Sequence, residues 1–148
     1  ARSALKIGQN CNFWRHAMHS YQVLINESHL DTFGHVNNAK YLELYEQARW
    51  DLISGNNYGL EQIKTLKIGP VVLELDLKFK REIVNREIIT IESRPQEITH
   101  PLIMEIHQSM VKGDGTVASS IVLKVGLMDL QKRKLIAPTK EWLAAIKC

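Results

Sequence analysis

The strongest constraint on the fold of this chain is one segment with too many apolar residues for a single helix face. From Asn37 to Gly55 the sequence reads NNAKYLELYEQARWDLISG, and Ala39, Tyr41, Leu42, Leu44, Tyr45, Ala48, Trp50, Leu52 and Ile53 spread over most of a helical circumference. A helix lying on a core from one side needs only a stripe of period 3.6. This one is expected to be covered on several sides. Asn37 or Asn38 suits its start, because an Asn side chain accepts hydrogen bonds from amides two or three residues ahead. Gly55, Asn56, Asn57 and Gly59 end it.

The rest of the chain supplies the covering. Tyr21, Val23 and Ile25 alternate with polar residues from Ser20 to Asn26, the period of a half-buried strand. After Gly69 and Pro70, Val71, Leu73, Leu75, Leu77 and Phe79 alternate with Glu74, Asp76, Lys78 and Lys80, which predicts one buried face and one wet face. Further strands are expected from about Glu87 to Arg94, from Leu102 to Val111 and from Thr116 to Met128, the last two joined by the turn Lys112-Gly113-Asp114-Gly115. Pro138 and Thr139 open a short terminal helix over residues 138–147. Hairpin-length links imply an antiparallel sheet. The expected class is α+β, a curved antiparallel sheet wrapped around one long central helix. Apolar edge strands invite pairing with a second copy, so a dimer or tetramer is expected.

Size and charge restrict the functional classes. The 148 residues suit one domain, and no composition shift marks a second within 1–148. The net charge of +3 comes from basic residues scattered along the chain, which argues against a nucleic-acid surface and leaves room for a small anionic ligand. Cys11 and Cys148 lack metal-ligand spacing and suit a reduced, cytoplasmic protein. No apolar run approaches the roughly 20 residues that span a bilayer, so no membrane partner is expected. Residues 1–14 read as an N-terminal extension; the chain opens on Ala rather than Met, and Ala1 to Gln9 are set aside as a processed or appended start.

The polar loop before the helix carries the chemistry. Asp31-x-x-Gly34-His35-Val36-Asn37-Asn38-x-x-Tyr41 resembles the signature of the hotdog-fold acyl-CoA thioesterases of the 4-hydroxybenzoyl-CoA thioesterase type. HLD, then HVNNAKYLE and EQARWD, is most similar to the bacterial long-chain acyl-CoA thioesterases of fatty-acid breakdown. The resemblance implies a hotdog fold, acyl-CoA as substrate, and no cofactor. It implies that Asp31 is the catalytic carboxylate and that the backbone N–H of Asn38 polarises the thioester carbonyl. The family follows its second long strand with Arg-Pro, where this chain reads Lys80-Arg81-Glu82 and lacks the proline.

Several residues read more than one way. Asp31 suits a nucleophile, a base activating water, or a loop aspartate capping a turn, and the motif favours catalysis. His35 suits either substrate orientation or a hydrogen bond tying the loop to the helix. His29, Asp31 and His35 also spell H-x-D-x-x-x-H, a pattern compatible with zinc or iron ligands, although its spacing matches none of the usual sites. Glu43 and Glu46 are helix carboxylates, with Glu46 expected to pair with Arg49. Tyr41, Val71, Val72 and Leu73 are candidates to contact the acyl thioester, the last three as acyl-tunnel lining or as ordinary core. Arg81, Arg86 and Lys132-Arg133-Lys134 are candidates for coenzyme A phosphates, or solvated basic turns. No G-x-S-x-G elbow supports a serine hydrolase. Two alternatives stay open: an acyl chain carried on acyl carrier protein, and a non-catalytic acyl-CoA-binding or regulatory module.

Overall fold

The computed structural model describes residues 18–146. The extension over residues 1–14, Cys11 and Cys148 lie outside them. Strand β1 (His19–Leu24) is followed by a 3-10 turn (Glu27–His29) and the long helix α1 (Asn38–Gly55). A short helix α2 (Leu60–Leu66) then leads into β2 (Ile68–Phe79), β3 (Ile88–Pro95), β4 (Ile103–Val111), β5 (Val117–Asp129), β6 (Lys134–Ile136) and helix α3 (Lys140–Ala145). The sequence reading missed α2 and β6, each too short to establish a period. Thr139 caps α3 through its side chain, as its position predicts.

The sheet is antiparallel throughout, in the order β1-β3-β4-β5-β2, and β6 pairs with β5 beyond the end of β4. One expectation about its links fails. β2 pairs with β5 rather than β3, so the segment between β2 and β3 is a crossover rather than a hairpin. Residues 80–87 run past the end of the sheet and close against the loop before α1: Val36 N–H donates to Ile83 O, and His35 forms a bridge with Val84.

Helix α1 lies on one face of this sheet through a single stripe of Tyr41, Leu44, Tyr45, Ala48 and Leu52, spaced three and four residues apart. The expectation of cover on several sides is therefore corrected for the single chain, in which Leu42 and Trp50 stay exposed on the flank. The core under the helix comes from Ile89, Ile91, Ile106, Met110, Ile121, Leu123 and Val125. A second cluster around Trp142, Tyr58 and Leu127 seats α3 against the C-terminal end of α1.

Strand β2 departs most from its sequence pattern. Its register with β5 shifts between Val72 and Glu74, leaving Leu73 as a bulge. Cross-strand partners share a face, so Val72, Leu75, Leu77 and Phe79, opposite Val125, Leu123, Ile121 and Ser119, point to the core side. Val71, opposite Gly126, points away. The simple alternation from Val71 to Phe79 is thus broken by one residue. The strand is also a sheet edge, and Val72, Leu75 and Phe79 are 47%, 41% and 55% exposed, so its core-side face is not buried within one chain.

Candidate active site

The loop from Leu30 to Asn37 is held as a tight unit. Asp31 N–H donates to His35 O (2.8 Å) and Gly34 N–H to Asp31 O (3.2 Å). Gly34 sits at φ 82, a left-handed conformation that Gly adopts without a Cβ clash. Within this turn Asp31 Oδ1 accepts the amides of Phe33 (2.9 Å) and His35 (3.2 Å). No hydrogen bond to Oδ2 is made among the described residues. The turn-capping reading of Asp31 is therefore correct for one oxygen, and the other stays available.

The start of α1 can be accounted for amide by amide. Asn37 N–H donates to His29 O (2.9 Å), Ala39 N–H to Asn37 Oδ1 (2.9 Å), and Lys40 N–H to Asn37 O (2.9 Å). Asn37, not Asn38, is the cap. That leaves the Asn38 N–H without an acceptor among the described residues, at the positive end of the helix dipole.

Asp31, His35, Asn38, Tyr41 and Arg81 line one open cleft of about 710 Å³, together with Phe79, Lys80, Glu82 and Lys112. Sequence reasoning did not select the last four. Lys112 comes from the β4–β5 hairpin, and only the strand order brings it here. Its Nζ donates to Glu82 O (2.8 Å) and pairs with Glu87 Oε1 (3.2 Å), which pins the crossover. Tyr41 stands edge-on to Phe79, with ring centroids 4.9 Å apart. Burial, followed by the charges of Asp31, Glu82 and Glu87, raises the pKa of the Tyr41 phenol, so it keeps its proton.

Other candidates are placed elsewhere. Val71 and Val72 line a second pocket of about 90 Å³ with Glu46, Arg49, Trp50, Ile53 and Trp142, toward the opposite end of α1. Arg86 is engaged by Glu27 at 2.7 Å, and the Lys132-Arg133-Lys134 turn lies outside the cleft. Glu43 pairs with Lys40 (2.8 Å). The expected Glu46–Arg49 pair gives way to a bond from Arg49 Nη1 to Gln108 Oε1 (2.9 Å), because Gln108 presents a buried acceptor on β4.

The pattern H-x-D-x-x-x-H does not converge. His29 Nδ1 accepts the Asn26 N–H (3.1 Å), and His35 Nε2 lies 3.2 Å from Glu82 Oε2. Among the described residues no three His, Cys, Asp or Glu side chains are grouped to hold a metal ion. Nor is any helix among them long and apolar enough to cross a membrane.

Comparison with known proteins places this geometry in context. The model of the family described as the thioesterase-like superfamily matches residues 23–146. The long-chain acyl-CoA thioesterase FadM of Escherichia coli (strain K12) is 28% identical over 116 residues, covering 78% of this chain and 87% of the relative. The crystal structure of the YbaW probable thioesterase from Escherichia coli superposes with a TM-score of 0.76 at 26% identity, covering 87% of this chain and 96% of that one. The hypothetical protein SAV2348 from Staphylococcus aureus, solved in complex with CoA, shares the fold with a TM-score of 0.81 at 14% identity, over 88% of this chain and 82% of the other.

Proposed function

The chain belongs to the thioesterase-like superfamily and is a thioesterase of hotdog fold, and on that premise we propose that it hydrolyses acyl-CoA to the free acid and CoA, with Asp31 as the essential carboxylate and without a metal. The observation that carries this reading is the pairing in one cleft of an uncommitted carboxylate oxygen, Asp31 Oδ2, with an uncommitted amide, Asn38 N–H. Hydrolysis requires oxygen delivered to the carbonyl carbon and a place for the negative charge that forms on the carbonyl oxygen. Asp31 delivers the first, as the attacking nucleophile or as the base that takes a proton from water. Asn38 N–H receives the second, and one such donor is worth roughly 3 kcal/mol in the transition state. The C–S bond then breaks and CoA departs as thiolate; on the base route this gives the free acid directly and the proton held by Asp31 passes to the thiolate, and on the nucleophile route it leaves a mixed anhydride on Asp31 that water hydrolyses to the free acid. His35 orients the loop through its amide on Asp31.

The choice of CoA as carrier is supported by the relative named as a long-chain acyl-CoA thioesterase and by Lys80 and Arg81 at the cleft, cations suited to phosphate. Both imidazoles near Asp31 already have protein partners, which supports chemistry independent of metal. The exposed apolar edge of β2 supports assembly with a second copy as a dimer or higher oligomer.

The test is thiol release from acyl-CoAs of increasing chain length, with and without chelator, for the wild type and Asp31→Asn. Full activity in Asp31→Asn overturns the role of Asp31, and loss on chelation overturns metal independence. Faster turnover of the same chain on acyl carrier protein transfers the assignment to that carrier. Tight binding with no turnover leaves a binding module instead.

A further inference from the structure

His35 serves the Asp31 turn through its backbone amide and carbonyl, which leaves its imidazole without a part in hydrolysis. That ring lines the cleft with Asp31, and its Nε2 lies 3.2 Å from Glu82 Oε2, within reach of a hydrogen bond. The fold itself brings the two together. Val36 N–H donates to Ile83 O (2.9 Å), His35 forms an antiparallel bridge with Val84, and Lys112 Nζ donates to Glu82 O (2.8 Å) from the other side. The backbone of Glu82 is therefore pinned, while its side chain, 72% exposed, is free to turn toward the ring. His35 Nδ1 has no hydrogen-bond partner among the described residues. The contact belongs to this chain, because the proline that the resembled family carries after its arginine offers no acceptor where Glu82 stands.

We propose that Glu82 is a positioning residue for hydrolysis, holding His35 with its proton on Nε2 so that Nδ1 accepts a hydrogen bond from the attacking water. The assignment deepens the thioesterase reading and rests on it. A carboxylate only accepts hydrogen bonds, so the nitrogen that faces Glu82 must carry the proton. In the neutral ring the other nitrogen is then an acceptor. A water held through one hydrogen alone can still swing about that bond. With Asp31 taking one hydrogen and Nδ1 the other, the oxygen lone pair is aimed at the acyl carbon. On the base route this water attacks the thioester, and on the nucleophile route Nδ1 orients the water that attacks the mixed anhydride. In both, the water oxygen bonds to the acyl carbon, one of its hydrogens ends on the CoA sulfur as a proton and the other on the new acid. His35 gains and loses no net proton.

The experiment pairs kinetics with a direct view of the ring. Thiol release from the acyl-CoA that the wild type turns over fastest is measured for Glu82→Ala, Glu82→Gln, His35→Gln and the double variant Glu82→Ala/His35→Gln. The His35 tautomer is read from nitrogen–proton correlation spectra of the imidazoles, assigned by difference from His35→Gln. Glu82→Ala should lower kcat about tenfold, the scale of one hydrogen bond, with KM within about twofold, and should spread the ring proton over both nitrogens. Glu82→Gln still offers an acceptor, so it should keep the proton on Nε2 and stay within about threefold of the wild-type kcat. In the His35→Gln background, loss of Glu82 should cost nothing further. Wild-type kcat in Glu82→Ala overturns the proposal, as does lost activity with the tautomer unchanged, the mark of a merely structural role. So does a Glu82→Gln enzyme as slow as Glu82→Ala, because Glu82 would then supply charge and not the placing of a proton. A wild type that turns over no acyl-CoA fails the thioesterase reading itself, whereas the other outcomes fail Glu82 alone.

Discussion

Tyr45 Oη donates to Ser119 Oγ at 2.9 Å, joining the middle of α1 to β5 between two side chains with no solvent exposure. Next to it Gln108 Nε2 donates to Tyr45 O (3.2 Å) and to Ser93 Oγ (2.9 Å), so the polar atoms under the helix are mutually engaged. This ladder ties the middle of α1 to β3, β4 and β5 beneath it. Tyr45→Phe leaves Ser119 without its donor in a dry site, and the expected loss is about 1–3 kcal/mol in urea unfolding. Because Tyr45 does not line the cleft, KM for acyl-CoA should be unchanged in the folded fraction.

The proposed function gives Asp31 a catalytic duty beside its turn-capping one, and two substitutions separate them. Asparagine keeps an Oδ1 to accept the amides of Phe33 and His35 while removing the charge. Asp31→Asn should therefore lower kcat by about 100-fold or more with stability changed by less than about 0.5 kcal/mol. Asp31→Ala removes the turn acceptor as well and should unfold about 1 kcal/mol more easily. Thiol release and urea midpoints measured on the same preparations distinguish the two effects.

The loop and the start of α1 were legible in the sequence because their chemistry is local. Gly34 and the cap at Asn37 follow from residues within a few positions of each other, and β3 to β5 follow from Ile-rich and one-faced apolar runs joined by the turn Lys112-Gly113-Asp114-Gly115. What was not legible depends on partners distant in sequence. Nothing near Lys112 marks it for the cleft; the crossover of residues 80–87 past the sheet end brings Lys80, Glu82 and Lys112 together. The bulge at Leu73 is invisible to an alternating pattern, since Val71 and Val72 are equally apolar and only the register with β5 decides which faces inward. Arg49 was read as the partner of Glu46 because helix neighbours are predictable, whereas Gln108 arrives from β4.

Alkaline pH should act on the core before the chemistry. Burial raises the phenol pKa of Tyr41, Tyr45 and Tyr58 above the ordinary 10.0, with the charges of Asp31, Glu82 and Glu87 adding to the effect at Tyr41. Each is an acid whose folded pKa exceeds its unfolded value. The stability it contributes is complete below pH 10.0 and is lost as pH rises through the folded values. Phenolate absorbance from these three should therefore appear together with the loss of helical circular dichroism. Ionisation of all three in a chain that stays helical would contradict this.

Arg81 offers the cleanest separation of binding from chemistry. Its guanidinium is exposed at the rim of the cleft, donating to Lys80 O (3.0 Å), and no carboxylate among the described residues pairs with it. A phosphate of CoA would meet it equally in the ground state and the transition state. Arg81→Ala should then raise KM about tenfold, the scale of one charged hydrogen bond, and leave kcat unchanged. Arg86 is the matched control, because its guanidinium already sits 2.7 Å from Glu27 and it does not line the cleft. Arg86→Ala should leave KM alone. Raising the salt concentration should weaken wild-type binding and narrow the gap between wild type and Arg81→Ala, since an exposed phosphate contact is screened. A fall in kcat without a change in KM would instead place Arg81 at the reacting atoms.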